Sequence, residues 1–329
     1  MDEQARRLSR RGVLRIGALA LLAPPLLSAC GPQQNTAPNG VDLLTPLYAA
    51  ALADVAAANL AARTFPSDAP TFQVMAQVRQ AHATALAHEI SRAAATTAAP
   101  STPPTSPVNL GSDETSALST LVDSLNHAAG MASMVQTVPR YRAGLVASIC
   151  GGCASLAMAL NGSPVPSAAQ TDALLMTGMT APSTLDADTT AALQKALAAE
   201  HAAFWVCGTA NTFLSGTAGS AVNAATVAHQ VRRDTTEQIL GGTGATPQQS
   251  QAAYRTPQPI ADTASALTAL AAAEQDVEVA WRAVTENTDD KTIRWVGYAG
   301  LAGSALWQTA WRHLAGLTPA SVAMPGQPS

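Results

Sequence analysis

Glu200, His229 and Glu274 stand on three separate apolar stretches of the chain. Two carboxylates and an imidazole brought together by folding would offer oxygen and nitrogen ligands of the kind a divalent metal takes. Arg233 follows His229 by four residues and so shares its helix face. A guanidinium there offers a second outcome, in which it neutralises Glu200 and Glu274 and an ion pair replaces the metal. Burying those carboxylates without such a partner would be costly. Glu278 lies one turn after Glu274 and would bracket the same arginine. The ion pair of Arg233 with Glu200 and Glu274 is the expectation, with Glu200, His229 and Glu274 as weaker metal candidates.

Cys150, Cys153 and Cys207 form a second set. Cys150 and Cys153 have the CxxC spacing of redox sites. They fall inside an apolar helical stretch, residues 142–160, with no strand before it. That context favours structural cysteines, one pair of which could form a disulfide. Catalysis by the pair is a minor alternative, and buried free thiols or a metal site are another.

Elements to position these residues can be read from periodicity and breaks. Helices are predicted over about 42–65, 71–95, 113–138 and 141–161, and again over about 187–215, 218–240, 260–286 and 290–315. The breaks carry turn chemistry: Phe65-Pro66-Ser67-Asp68, Val138-Pro139 and Gly241-Gly242-Thr243-Gly244. The halves echo each other at offsets near 150 residues, as in Ala81-His82 with Ala228-His229, and Ser116-Ala117-Leu118 with Ser265-Ala266-Leu267. In each half the connection between the second and third helices is long. Four helices with one long crossover have the ferritin-like topology. The predicted fold is therefore all-α, with two ferritin-like four-helix bundles in tandem at 42–162 and 187–316. Residues 163–186 are a linker, with a short helix at 168–176, and 317–329 a C-terminal tail.

The second half resembles a ferritin-like domain of unknown function found in actinobacterial exported proteins. Ala199-Glu200-His201-Ala202-Ala203, His229-Gln230-Val231-Arg232-Arg233-Asp234, Ala273-Glu274 and the Trp-rich last helix carry the resemblance. It implies a fold and no activity. Di-metal proteins of this topology place a Glu on each of two helices and a Glu-x-x-His on each of the other two. Here Thr226 stands three before His229, Ala310 stands three before His313, and no carboxylate lies between Lys291 and Gly316. In the first half the first helix offers Asp54, past its midpoint, Arg79 occupies the Glu position before His82, and the third helix has Asp123 and His127, four apart on one face. Neither half can hold two metals in the family manner, so no cofactor is expected.

The N-terminus reads as an export signal. Arg6, Arg7, Arg10, Arg11 and Arg15 precede an apolar run from Gly17 to Leu27, shorter than the about 20 residues of a transmembrane helix. Leu27-Ser28-Ala29-Cys30-Gly31 resembles the bacterial lipobox, which implies removal of residues 1–29, acylation of Cys30 with palmitate-type chains, and a linker over 30–41. Ser9-Arg10-Arg11-Gly12-Val13-Leu14-Arg15 resembles the twin-arginine motif, departing from it at Val13. The expected location is the outer face of the cell membrane, with the membrane itself as a partner through Cys30.

Only 12% of residues are charged, the net charge is -4 and aromatics make up 4%. No basic stripe suits nucleic acid. No Gly-x-Ser-x-Gly, phosphate loop, His-Glu-x-x-His or dinucleotide fingerprint occurs. A binding or scaffold lipoprotein of the envelope is the leading reading, its partner an envelope protein or a small ligand. The alternative is a metal or redox enzyme with a reduced site.

Overall fold

The computed structural model describes residues 35–37, 40–95, 100, 108–174 and 181–327. The signal, Cys30 and most of the Thr/Pro-rich crossover at 96–107 lie outside the described residues. The fold is all-α: among the described residues the β pairing is a single antiparallel bridge from Thr36 to Asp42.

Among the described residues nine α-helices run in chain order: α1 (Thr45–Thr64), α2 (Ala69–Ala93), α3 (Glu114–Gly130), α4 (Arg140–Leu160), α5 (Ala168–Ala173), α6 (Ala187–Ala210), α7 (Gly216–Gly242), α8 (Thr263–Glu286) and α9 (Lys291–Leu314). Four begin on an aspartate whose side chain accepts the N–H three residues on: Asp113 from Ser116, Asp186 from Thr189, Asp262 from Ser265 and Asp290 from Ile293. Each cap satisfies one of the donors a helix start leaves free. The stretch predicted as one helix over 113–138 is α3 followed by a 3₁₀ turn, Met131–Gln136. Pro139 disfavours α geometry in the residue before it, and the chain tightens as it approaches.

In the first half α1 packs on α2 and α3, α3 on α4, and α2 touches α4. In the second, α6 packs on α7 and α8, α8 on α9, and α7 touches α9. The two sets join directly, because α4 packs along both α9 and α8. The described residues from Asn35 onward belong to one compact unit. One buried core runs from Leu44 on the first half through Val146 and Ile149 to Trp281 and Leu301 on the second. The close approach rests on small residues. A Cβ on Gly151 would stand 2.8 Å from Leu301 Cδ2. On Gly300 it would fall onto the Trp281 indole. Helix α4 is long and apolar enough to cross a membrane, but 78% of that window is buried within the protein.

Arg294, at the start of α9, fastens the same seam: it donates to Val138 O at 2.6 Å and Thr288 O at 2.8 Å, and pairs with Asp289. Its counterpart Arg142 pairs with Asp42 and Glu89 inside the first half.

The segment expected as a free tail is built into the protein. Ala323 O accepts from His82 Nε2 at 2.6 Å on α2, Pro325 O accepts from Ser148 Oγ at 2.6 Å on α4, and Gly326 N donates to Glu278 Oε2 at 3.1 Å on α8. Buried polar side chains need partners, and backbone groups of this segment supply them to helices of both halves.

Candidate functional site

Four helices bring a buried ionic cluster together in the second half. Glu200, at mid-length on α6, accepts from Arg232 Nε at 2.6 Å and from Trp281 Nε1 at 2.6 Å on one oxygen. Its other oxygen lies 2.7 Å from His229 Nδ1. His229 Nε2 reaches Glu274 Oε1 on α8 at 3.2 Å, and Trp311 Nε1 on α9 lies 3.4 Å from the same oxygen. Glu200, His229, Arg232 and Glu274 are all buried.

Two carboxylates face one guanidinium and one imidazole, so the formal charges balance when His229 carries both protons. Burial by itself would lower the His229 pKa, but the carboxylates of Glu274 and Glu200 overcome it and push it well above its ordinary value. Each ring nitrogen then donates to a different carboxylate. Arg232 Nη2 lies 2.8 Å from Nδ1 as well; a guanidinium only donates, so that contact is a hydrogen bond when Nδ1 is bare and is given up when Nδ1 carries a proton to Glu200. Burial alone would raise the Glu200 carboxyl; Arg232, His229 and Trp281 outweigh it and hold it at about 2.

The expected arginine is the wrong one by a single residue. Arg232 reaches Glu200, whereas Arg233 pairs with its neighbour Asp234 at 2.6 Å and lies over the Phe204 ring at 4.8 Å. The Arg233 side chain is 22% exposed against 4% for Arg232. Both i+3 and i+4 from His229 stay near one helix face, and the inward stripe decides between them. On α7 that stripe is Val222, Ala225, His229, Arg232, Thr236 and Ile239, an alternation of three- and four-residue steps that passes through Arg232. Val222, Ala225 and Ile239 were the signal in the sequence that could have selected it. The step from Arg232 to Thr236 is marked again by Thr236 Oγ1 donating to Arg232 O at 2.6 Å.

The first half holds a related cluster on the corresponding helices. Arg79 on α2 pairs with Asp54 on α1 at 2.7 Å, and the Ser124 hydroxyl on α3 donates to the other Asp54 oxygen. Arg79 Nη1 lies 2.8 Å from His82 Nδ1 and 2.9 Å from Cys153 Sγ. Here the histidine is neutral. Its Nε2–H goes to Ala323 O, leaving Nδ1 to accept from Arg79, and burial together with the Arg79 charge lowers its pKa to about 3. The order along α2 is Arg-x-x-His and along α7 His-x-x-Arg, so one acid on the preceding helix meets an arginine in both halves.

The weak metal candidates Glu200, His229 and Glu274 thus meet, and they meet one another. Both Glu200 oxygens and both His229 nitrogens are engaged within the protein. Among the described residues no group of three His, Cys, Asp or Glu is arranged to hold a metal ion. Glu274 Oε2 and, one turn on, Glu278 Oε1 are buried without a partner. Burial, aided by the nearby Glu274, pushes Glu278 well above the carboxylate range, so it is a neutral acid accepting from Gly326.

The anticipated disulfide is not formed. Cys150, Cys153 and Cys207 are buried free thiols. Burial raises Cys153 to about 11 and Cys150 well above its usual value. The thiolate is the reactive form, so the CxxC spacing places two inert thiols in the α4 core. Trp307 and Trp311 stack on one another at 5.6 Å within the second-half core. His88 is exposed, whereas His201 is buried and lies 3.1 Å from Gln248 O.

No curated protein matches the chain. A crystal structure of a conserved hypothetical protein from Mycobacterium tuberculosis is 29% identical over 40% of this chain and 99% of that one, with a TM-score of 0.39. Residues 192–329, from α6 through α9 to the closing segment, match the family described as Domain of unknown function (DUF4439).

Proposed function

We propose that the protein is an exported lipoprotein, anchored through Cys30, whose paired four-helix bundles of ferritin-like topology serve as a binding or scaffold unit of the cell envelope without a resident metal pair. The observation that carries this reading is the engagement of Glu200: Arg232, His229 and Trp281 occupy both of its oxygens. A metal on Glu200 would have to displace a guanidinium and an imidazole from a buried site, leaving the Arg232 charge without its partner. The matching neighbour order of α1–α4 and α6–α9, and the Arg79–Asp54 pair opposite Arg232–Glu200, support a duplicated origin.

Metal analysis of protein purified from its native host tests this reading, together with thermal melts in Mn²⁺, Fe²⁺ and Zn²⁺. Substoichiometric metal and unmoved midpoints are expected. A metal-dependent rise that Glu200→Ala abolishes would replace the reading with the metal-enzyme alternative. Fractionation of the Cys30→Ala variant tests the anchor: loss from the membrane fraction is expected, and unchanged retention would refute it.

A further inference from the structure

A cleft of about 690 Å³ opens between α6, α7 and the long connection from α7 to α8. This is within the range of small-molecule sites, about 300–1,000 Å³. One face of α6 lines it with His201, Phe204, Trp205, Gly208 and Thr209, the i, i+3, i+4, i+7, i+8 positions of a helix stripe. Such a stripe normally faces a neighbouring helix. Here it faces the cavity.

The opposite wall is held in place. Gln194 on α6 clamps the connection by donating to Thr246 O and accepting from Gln248 N, each at 2.8 Å. His201 fastens Gln248 O from inside the cleft, and the Tyr254 hydroxyl accepts from Gln251 N at 2.9 Å. Tyr254 therefore stands against Trp205, ring centroids 6.0 Å apart and tilted by 56°. Arg233 lies over Phe204 and is fixed by Asp234.

Three ring systems and a set of hydrogen-bonding groups therefore line one cavity. The amides of Gln249 and Gln251, the hydroxyls of Ser250 and Thr209, Glu237 and Arg233 supply both donors and acceptors. The two charged side chains of the lining, Arg233 and Glu237, have opposite sign, and Arg233 is already paired with Asp234. Strongly anionic or cationic ligands gain little from it. Flat apolar ring faces beside closely spaced amides and hydroxyls suit a neutral ligand with C–H faces and adjacent hydroxyl groups. We propose that this cleft is a binding site for a neutral carbohydrate, seated on Trp205 and Tyr254. The proposal rests on the reading of the protein as a binding unit and names its ligand class.

Gly208 makes the test clean. It is exposed on α6 and a Cβ there would meet nothing within 4 Å. Gly208→Phe should fill the cleft while leaving the helix intact, since Gly is a poor helix former and its replacement does not weaken the helix. Full-length protein is titrated with maltotriose, mannotriose and N-acetylchitotriose and followed by saturation-transfer NMR and calorimetry. Binding of at least one trisaccharide is expected. Trp205→Ala should weaken it at least tenfold. Gly208→Phe should abolish it with an unchanged or higher melting midpoint. If none of the three binds, if Gly208→Phe binds as wild type does, or if glucose 6-phosphate binds tenfold more tightly than the neutral sugars, the proposal is overturned. Those outcomes leave the metal and membrane tests of the general reading standing on their own.

Discussion

Arg232 donates from Nε to Oε1 of Glu200 at 2.6 Å across the α6–α7 contact, and neither side chain is more than 4% exposed. The pair is sealed between helices, and His229 and Trp281 bind the same carboxylate. Removing one member of such a pair strands the other charge in the core, at about 3–5 kcal/mol. Arg232→Ala should therefore unfold at much lower denaturant or temperature. Arg233→Ala, which loses a half-exposed pair with Asp234, should cost about 1 kcal/mol or less. Chemical denaturation of the two variants side by side is the measurement, and equal losses would contradict the geometry.

Two of the buried histidines, His82 and His229, bend the pH profile in opposite directions. His82 has a folded pKa of about 3, below the about 6.5 of an unfolded histidine. The unfolded chain then takes up a proton that the folded protein refuses, and stability falls as pH drops from about 6.5 toward 3, by up to ~1.4 kcal/mol per unit. Glu200, held at about 2, adds its own loss below the about 4.3 of a free glutamate. His229 is raised well above its ordinary value, so its contribution is complete below about 6.5 and is lost as pH rises through the folded value. Melting midpoints across pH 4 to 9 should peak near neutrality, and His82→Gln should flatten the limb between pH 6.5 and 4.5 while leaving the alkaline limb in place.

The closing segment should behave as part of the core. Gly326 has a φ of 75°, and a Cβ there would lie 2.7 Å from Glu278 O. Gly326→Ala is expected to cost about 1–3 kcal/mol through the left-handed backbone and the clash. Deleting residues 319–329 strips Ala323 O from His82, Pro325 O from Ser148 and Gly326 N from Glu278. Leaving such groups unpaired costs about 1–3 kcal/mol each, so the truncated protein should lose more stability than the point variant. A truncation that melts as wild type would refute the role assigned to these bonds.

Cys150, Cys153 and Cys207 should resist iodoacetamide at pH 8 in the folded protein and react together once it is denatured. Burial raises the Cys150 and Cys153 thiols, and all three lack access to solvent. Fast labelling of Cys153 under native conditions, read by mass spectrometry, would show that α4 opens locally.

Helix positions were legible along the chain because their causes are local. Alanine-rich stretches favour helix, and Asp113, Asp186, Asp262 and Asp290 cap starts close to where periodicity begins. The meeting of Glu200, His229 and Glu274 was legible too, since it needs only three helices with inward faces at similar heights. That Arg79 replaces a ligand could be read from its place before His82; that it pairs with Asp54 came only with the fold.

What the chain alone left undecided depends on how helices are rotated and what lands on them from far away. Arg232 and Arg233 are adjacent, alike and both near the His229 face; the rotation of α7 that buries Val222, Ala225 and Ile239 turns one toward Glu200 and the other toward Phe204. The cysteine spacing allowed a disulfide, and the fold instead buries Cys150 and Cys153 on α4 and Cys207 on α6 as free thiols, with Cys153 Sγ 2.9 Å from Arg79 Nη1. Residues 317–329 carry a Pro- and Gly-containing sequence that reads as a tail. Their structure comes from His82, Ser148 and Glu278, buried polar groups whose missing partners are supplied from 48 to 241 positions away. A hydrogen bond over such a separation leaves no periodicity behind, and only the assembled core specifies it.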